Sequence, residues 1–132
     1  MKQKKIDISE NTLKNISREF EYSKRLTTFM KTENIHLKNR ISEIVLNTKD
    51  ELLLNELECF QSRSVNYDTT IFIAEIDIAT LTNALKTTDD LLTGTSESIL
   101  KETGKIRNSL FLISKDFFRL NIQFNKFLTE KF

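Results

Sequence analysis

Proline is absent from this sequence, and glycine occurs only at Gly94 and Gly104. These two residues punctuate turns, so their scarcity excludes a loop-rich fold and points to a few long elements. A single cysteine, Cys59, excludes an internal disulfide and agrees with a reducing compartment. The longest apolar runs, Ile71 to Ala74 and Leu110 to Ile113, are four residues long, whereas roughly 20 are needed to span a bilayer. Lys2, Lys4 and Lys5 resemble the start of a secretory signal, but no apolar run follows them. The expectation is a cytoplasmic protein with no membrane partner. Charge of one sign is also missing: 20 basic residues against 19 acidic ones leave a net +1, too little to draw the chain toward nucleic acid or an anionic surface.

What is present is a seven-residue repeat with 30% charged residues, the signature of long helices. The positions Leu53, Leu57, Phe60, Ser64, Tyr67, Ile71, Ala74, Ile78, Leu81 and Leu85 alternate steps of four and three, which keeps one seam of a helix facing a partner. A second seam runs through Ile6, Ser9, Leu13, Ile16, Phe20, Ser23, Thr27, Met30, Asn34, Leu37, Ile41 and Ile44. A third runs through Ile99, Thr103, Ile106, Leu110, Ile113, Phe117, Leu120, Phe124 and Phe127. These seams predict an all-α fold, an elongated up-down-up three-helix bundle with helices at about residues 8–46, 49–87 and 96–130. Residues 1–132 then form one helical domain, with 1–7 a frayed basic tail.

The breaks between helices are weakly marked. Thr48 and Glu51 have the spacing of a capping box, in which each side chain satisfies a free backbone donor; an unbroken helix through this point is the alternative. The second break falls within 86–96, with Thr88, Asp89, Thr95 or Ser96 as the cap and Gly94 near the end of the loop. Residues 69–78 are rich in β-branched side chains and alternate as a strand would, but the repeat continues on both sides and a lone strand has no partner. The apolar Phe72, Ile73 and Ile76 spread off the seam there, so this segment is expected to be covered on more than one side. Gly104, inside the third helix, suggests close approach of another backbone. Residues 1–47 sum to +4 and 48–87 to −4, which favours pairing of the first two helices.

Two features suggest an interaction surface. Phe111, Phe118 and Ile122 form a second apolar stripe opposite the third seam, more than a three-helix bundle buries, and a second copy of the chain is the simplest partner. The first seam is polar at Ser23, Thr27 and Asn34, and its flanks carry Glu19, Glu33 and Arg40 opposite Lys24, Lys31 and Lys38. In a parallel dimer Glu19 would meet Lys24 and Glu33 would meet Lys38; otherwise these charges solvate the outside of a single bundle.

Candidates for chemistry are few. Glu33-x-x-His36 resembles half of the iron-binding pair of ferritin-like bundles, but it is the only histidine, it points outward, and a second pair is missing. Cys59 follows Glu56-Leu57-Glu58, an acidic setting that disfavours a reactive thiolate, and a partly buried structural cysteine is expected. No nucleophile–base arrangement or phosphate-binding glycine loop can be assembled, so no catalytic residue, metal or cofactor is assigned. The segments 33–44 and 56–63 resemble a set of small, uncharacterised bacterial coiled-coil-like helical proteins, and the resemblance implies a cytosolic helical protein with no assigned activity. The reading is a non-enzymatic helical interaction or scaffold protein that self-associates or binds another helical chain. The alternatives are a bundle holding a small apolar ligand and a nucleic-acid accessory protein.

Overall fold

The computed structural model describes residues 10–86 and 93–132, with side chains over 14–85 and 98–132. Three helices account for nearly all of them: α1 (Glu10–Leu46), α2 (Glu51–Lys86) and α3 (Thr93–Lys131). They run up, down and up. Lys31 meets Glu75 while Lys38 meets Asp68, so α1 and α2 are antiparallel. Arg107 meets Glu19 while Asn125 meets Arg40, so α1 and α3 are parallel. At 37 residues and about 1.5 Å per residue, α1 is about 55 Å long.

The core is a column one seam wide from each helix, in three apolar blocks. Ile16, Phe20, Leu81 and Ile99 fill one end. Met30, Ile71, Ala74, Ile78, Leu110 and Phe117 fill the middle, and Leu37, Ile41, Leu57, Leu120, Phe124 and Phe127 the other end. Phe60 and Ile106 are half-buried and pack against these blocks. Phe60 sets its ring edge-on to Phe124 at 5.2 Å and Tyr67 edge-on to Phe117 at 5.5 Å, the arrangement that ring quadrupoles favour. Ile6, Ser9 and Leu13 of the first seam, the tail 1–7, and the caps Thr88 and Asp89 lie outside the described residues or side chains.

Three of the buried polar seam residues are satisfied locally. Thr27 donates to the carbonyls of Ser23 and Lys24, Thr103 to that of Ile99, and Ser64 to that of Gln61, so each hydroxyl is satisfied within its own helix. Asn34, fully buried, instead reaches across. Its Nδ2 donates to the Ser64 carbonyl and to Asp68 Oδ1, both at 2.8 Å, and Lys38 Nζ holds the other Asp68 oxygen at 2.5 Å. Asn34 Oδ1 has no hydrogen-bond partner among the described residues.

Several local expectations are corrected. Asp50, not Thr48, caps α2: its Oδ1 accepts from the Leu52 and Leu53 amides at 3.0 and 3.4 Å, because the helix starts at Glu51 and Thr48 lies too far upstream. α3 starts at Thr93 rather than 96, so Gly94, Thr95 and Ser96 lie inside it, and Gly94 does not end a loop. A Cβ on Gly104 would meet only the end of Arg107, at 3.8 Å, so no backbone approaches there. Cys59 is exposed, because its position points away from both neighbouring helices. Phe72, Ile73 and Ile76 are also exposed, since neither α1 nor α3 reaches the outer face of α2.

The cap assignment is directly checkable. Asp50→Ala is expected to lower stability by about 1 kcal/mol, and Thr48→Ala to leave it within about 0.5 kcal/mol, in urea melts followed by circular dichroism.

Candidate interaction surface

Each helix places a stripe outside its seam, and the three stripes differ in character. On α3, Arg107, Phe111, Ser114, Phe118, Ile122 and Asn125 follow one another at steps of three and four, on the side that faces α1. On α1 the matching stripe is Glu19, Tyr22, Leu26, Phe29, Glu33 and Arg40. The parallel register pairs Phe29 with Phe118, whose ring centres are 6.2 Å apart, and sets Tyr22, Leu26 and Phe111 around one cleft of about 220 Å³. The result is a groove with Tyr22, Phe29, Phe111, Phe118 and Ile122 between 40% and 67% exposed. Of these, Tyr22 and Phe29 escape the sequence reading, because they sit two places after seam residues and look like ordinary surface positions until α3 is laid beside them.

Polar pairs close the ends of the groove. Arg107 Nη1 donates to Glu19 Oε1 at 2.9 Å, and Arg40 Nη1 donates to Asn125 Oδ1 at 3.3 Å while its guanidinium stacks over Phe124. Along the outer edges lie Arg18 and Arg25 on α1 and Lys101 and Lys115 on α3, all exposed and none ion-paired with a described residue. The remaining flanking charges of α1 pair within the chain: Lys24 with Glu21, Lys31 with Glu75, Lys38 with Asp68, and Glu33 with His36 at 3.8 Å. His36 itself is an exposed side chain.

The outer face of α2 is of the opposite kind. Between Ser64 and Leu85 its exposed residues are Val65, Asn66, Asp68, Thr69, Phe72, Ile73, Ile76, Asp77, Ala79, Thr80 and Asn83, with no cation among them. Val65, Phe72, Ile73 and Ile76 make an apolar ridge between 47% and 59% exposed, with Ile35 of α1 beside it in a cleft shared with Phe72. The carboxylates of Glu51, Glu58 and Asp77 on α2 have no ion pair with a described residue.

The described residues do not gather reactive groups. Among the described residues no three histidine, cysteine or acidic side chains converge to hold a metal, and no helix is long and apolar enough to cross a membrane. A cleft of about 370 Å³ is an open groove of α2 and α3 lined by Asp77, Glu102, Lys105 and Ser109 over Leu81 and Ile106. Tyr67 and Asp116 line a second cleft between the same helices. Burial raises the Tyr67 phenol above its ordinary 10.0, and Asp116 adds to this against the smaller opposing pull of Arg63 and Arg119.

Two outcomes follow. Because Tyr67 is harder to ionise folded than unfolded, the stability tied to its neutral form is complete below about pH 10 and is lost as pH rises through the folded value. Urea melts are therefore expected to show wild type losing more stability than Tyr67→Phe above about pH 10. Asn34→Leu removes a buried acceptor with no partner among the described residues, and water can replace its amide at the exposed Asp68, so despite the two lost hydrogen bonds stability is expected to rise by about 1 kcal/mol in the same assay at neutral pH.

Comparison with protein-family models, with curated proteins and with solved structures finds no match to this chain. What stands is therefore the fold itself: an all-helical three-helix bundle.

Proposed function

We propose that this chain is a non-enzymatic helical interaction protein that associates with itself, and that the α1/α3 groove is its principal contact surface. The observation that carries this reading is the groove's composition: five large apolar side chains from two helices remain largely exposed in one strip. Contiguous exposed apolar surface of this kind, rimmed by charge, is what association sites look like. The aromatic residues supply much area for little lost side-chain freedom. A scaffold role fits the long rod, which presents its faces over a length of several turns. The lone exposed Cys59 and the absence of a spanning helix among the described residues support a place in the reducing cytoplasm.

A small-ligand role finds less support, because the clefts are open surface grooves and the positions beneath them are filled by Leu110, Phe117 and Phe124.

Solution mass by light scattering, with shape by small-angle scattering, tests the proposal. Wild type is expected to rise above its 15.5 kDa protomer mass as concentration increases through the micromolar range. Phe118→Glu is expected to lower the association constant by at least about 10-fold with helicity retained, since a buried unpaired carboxylate opposes association. Ile122→Glu, at a more exposed position, gives the same outcome with less risk to the fold. A wild type that stays monomeric up to about 0.5 mM defeats the proposal, because an interface in the weak class would have formed by then.

A further inference from the structure

We infer that the occupant of the α1/α3 groove is the α2 ridge of a second copy of this chain, so that the contact is head-to-tail and repeats. This rests on the self-association reading above and names the partner surface.

Three observations support it. The first is placement. In a bundle of three mutually packed helices α2 lies opposite the α1/α3 groove, and α1 and α3 are the least closely packed pair. A groove between two parallel helices takes a further helix as a four-helix arrangement does, ridge into groove.

The second is charge. The groove edges carry Arg18, Arg25, Lys101 and Lys115 without an ion pair to a described residue, while the α2 face bears no exposed cation between Ser64 and Leu85 and is flanked by Asp77 and Glu58, with Arg63 just before its amino-terminal end. Groove against groove would set cations against cations, and ridge against ridge would set carboxylates against carboxylates. Groove against ridge sets opposite charges together.

The third is size. Val65 to Ala79 spans about 20 Å of helix, and Phe111 to Ile122 about 16 Å. The exposed parts of the five groove side chains amount to about 600 Å² and those of the four ridge side chains to about 400 Å². Together they reach about 1,000 Å², the lower limit for a specific interface. Because the two surfaces are different patches on one molecule, each copy keeps a free groove at one side and a free ridge at the other. Growth then continues into rings or filaments instead of stopping at a dimer. A single-stranded nucleic acid stacked on the groove aromatics is the competing occupant, but it leaves the α2 ridge uncovered.

The test pairs two variants. Phe118→Glu spoils the groove and leaves the ridge; Phe72→Glu spoils the ridge and leaves the groove. Light scattering is expected to find wild type growing beyond two protomers with concentration, each variant alone monomeric, and their equimolar mixture a one-to-one dimer of twice the protomer mass. Ile122→Glu and Ile76→Glu repeat the experiment should either phenylalanine variant lose helicity. If Phe72→Glu still dimerises, the groove pairs with itself and the inference fails while self-association stands. If Phe118→Glu still dimerises, the ridge pairs with itself, with the same consequence. A mixture that stays monomeric overturns the inference, as does salt-sensitive binding of a mixed-sequence single-stranded oligonucleotide by a wild type that remains monomeric.

Discussion

Three helices packed around a single axis can each bury one stripe, and that geometric limit governs the rest of the structure. The buried column from Ile16 to Phe127 uses one seam per helix, and among the described residues no fourth element covers what lies outside it. A compact domain of the same length would fold its long helices back on themselves and cover more of this surface. Here the helices stay whole because no proline and no mid-helix break interrupts them. Apolar residues beyond the seams, such as Phe72 and Ile122, are left at the surface as a direct consequence.

Within the column, Asn34 acts differently from Thr27, Ser64 and Thr103. Thr27, Ser64 and Thr103 turn their hydroxyls back to their own helix and place no demand on a neighbour. Asn34 spends its amide on α2, at Ser64 and Asp68, and Lys38 completes the cluster. Sliding α1 against α2 by a heptad would keep apolar seams in contact but would set this amide against hydrocarbon. The cost of a buried, unsatisfied amide then opposes the shift, the same device that single polar seam residues supply in coiled coils. The orphaned Oδ1 is the stability given up for that register. The register in turn aligns Asp68 and Glu75 with Lys38 and Lys31.

The surface divides along the same lines. Cations without a carboxylate partner among the described residues edge the α1/α3 groove, and the α2 face lacks exposed cations over some twenty residues. Net charge, near zero for the whole chain, conceals this separation. Long-range attraction to a polyanion is therefore weak, whereas short-range matching between unlike faces is favoured once two copies approach.

The seven-residue spacing by itself determined the helices, their approximate lengths and the stripe on each that is buried, because a helix has one period and an apolar seam must find cover. Phe111, Phe118 and Ile122 were legible as a surplus stripe for the same reason. Only the tertiary structure decided that Tyr22 and Phe29 join them, since that depends on the parallel register of α1 and α3, which no local pattern encodes. It also decided that Asp50 caps α2, because several polar residues near the turn compete and the exact start of the helix selects one. Likewise the exposure of Cys59 and of the outer face of α2, and the room beside Gly104, follow from where the neighbouring helices end up, a question of three-dimensional packing that spacing along one chain does not contain.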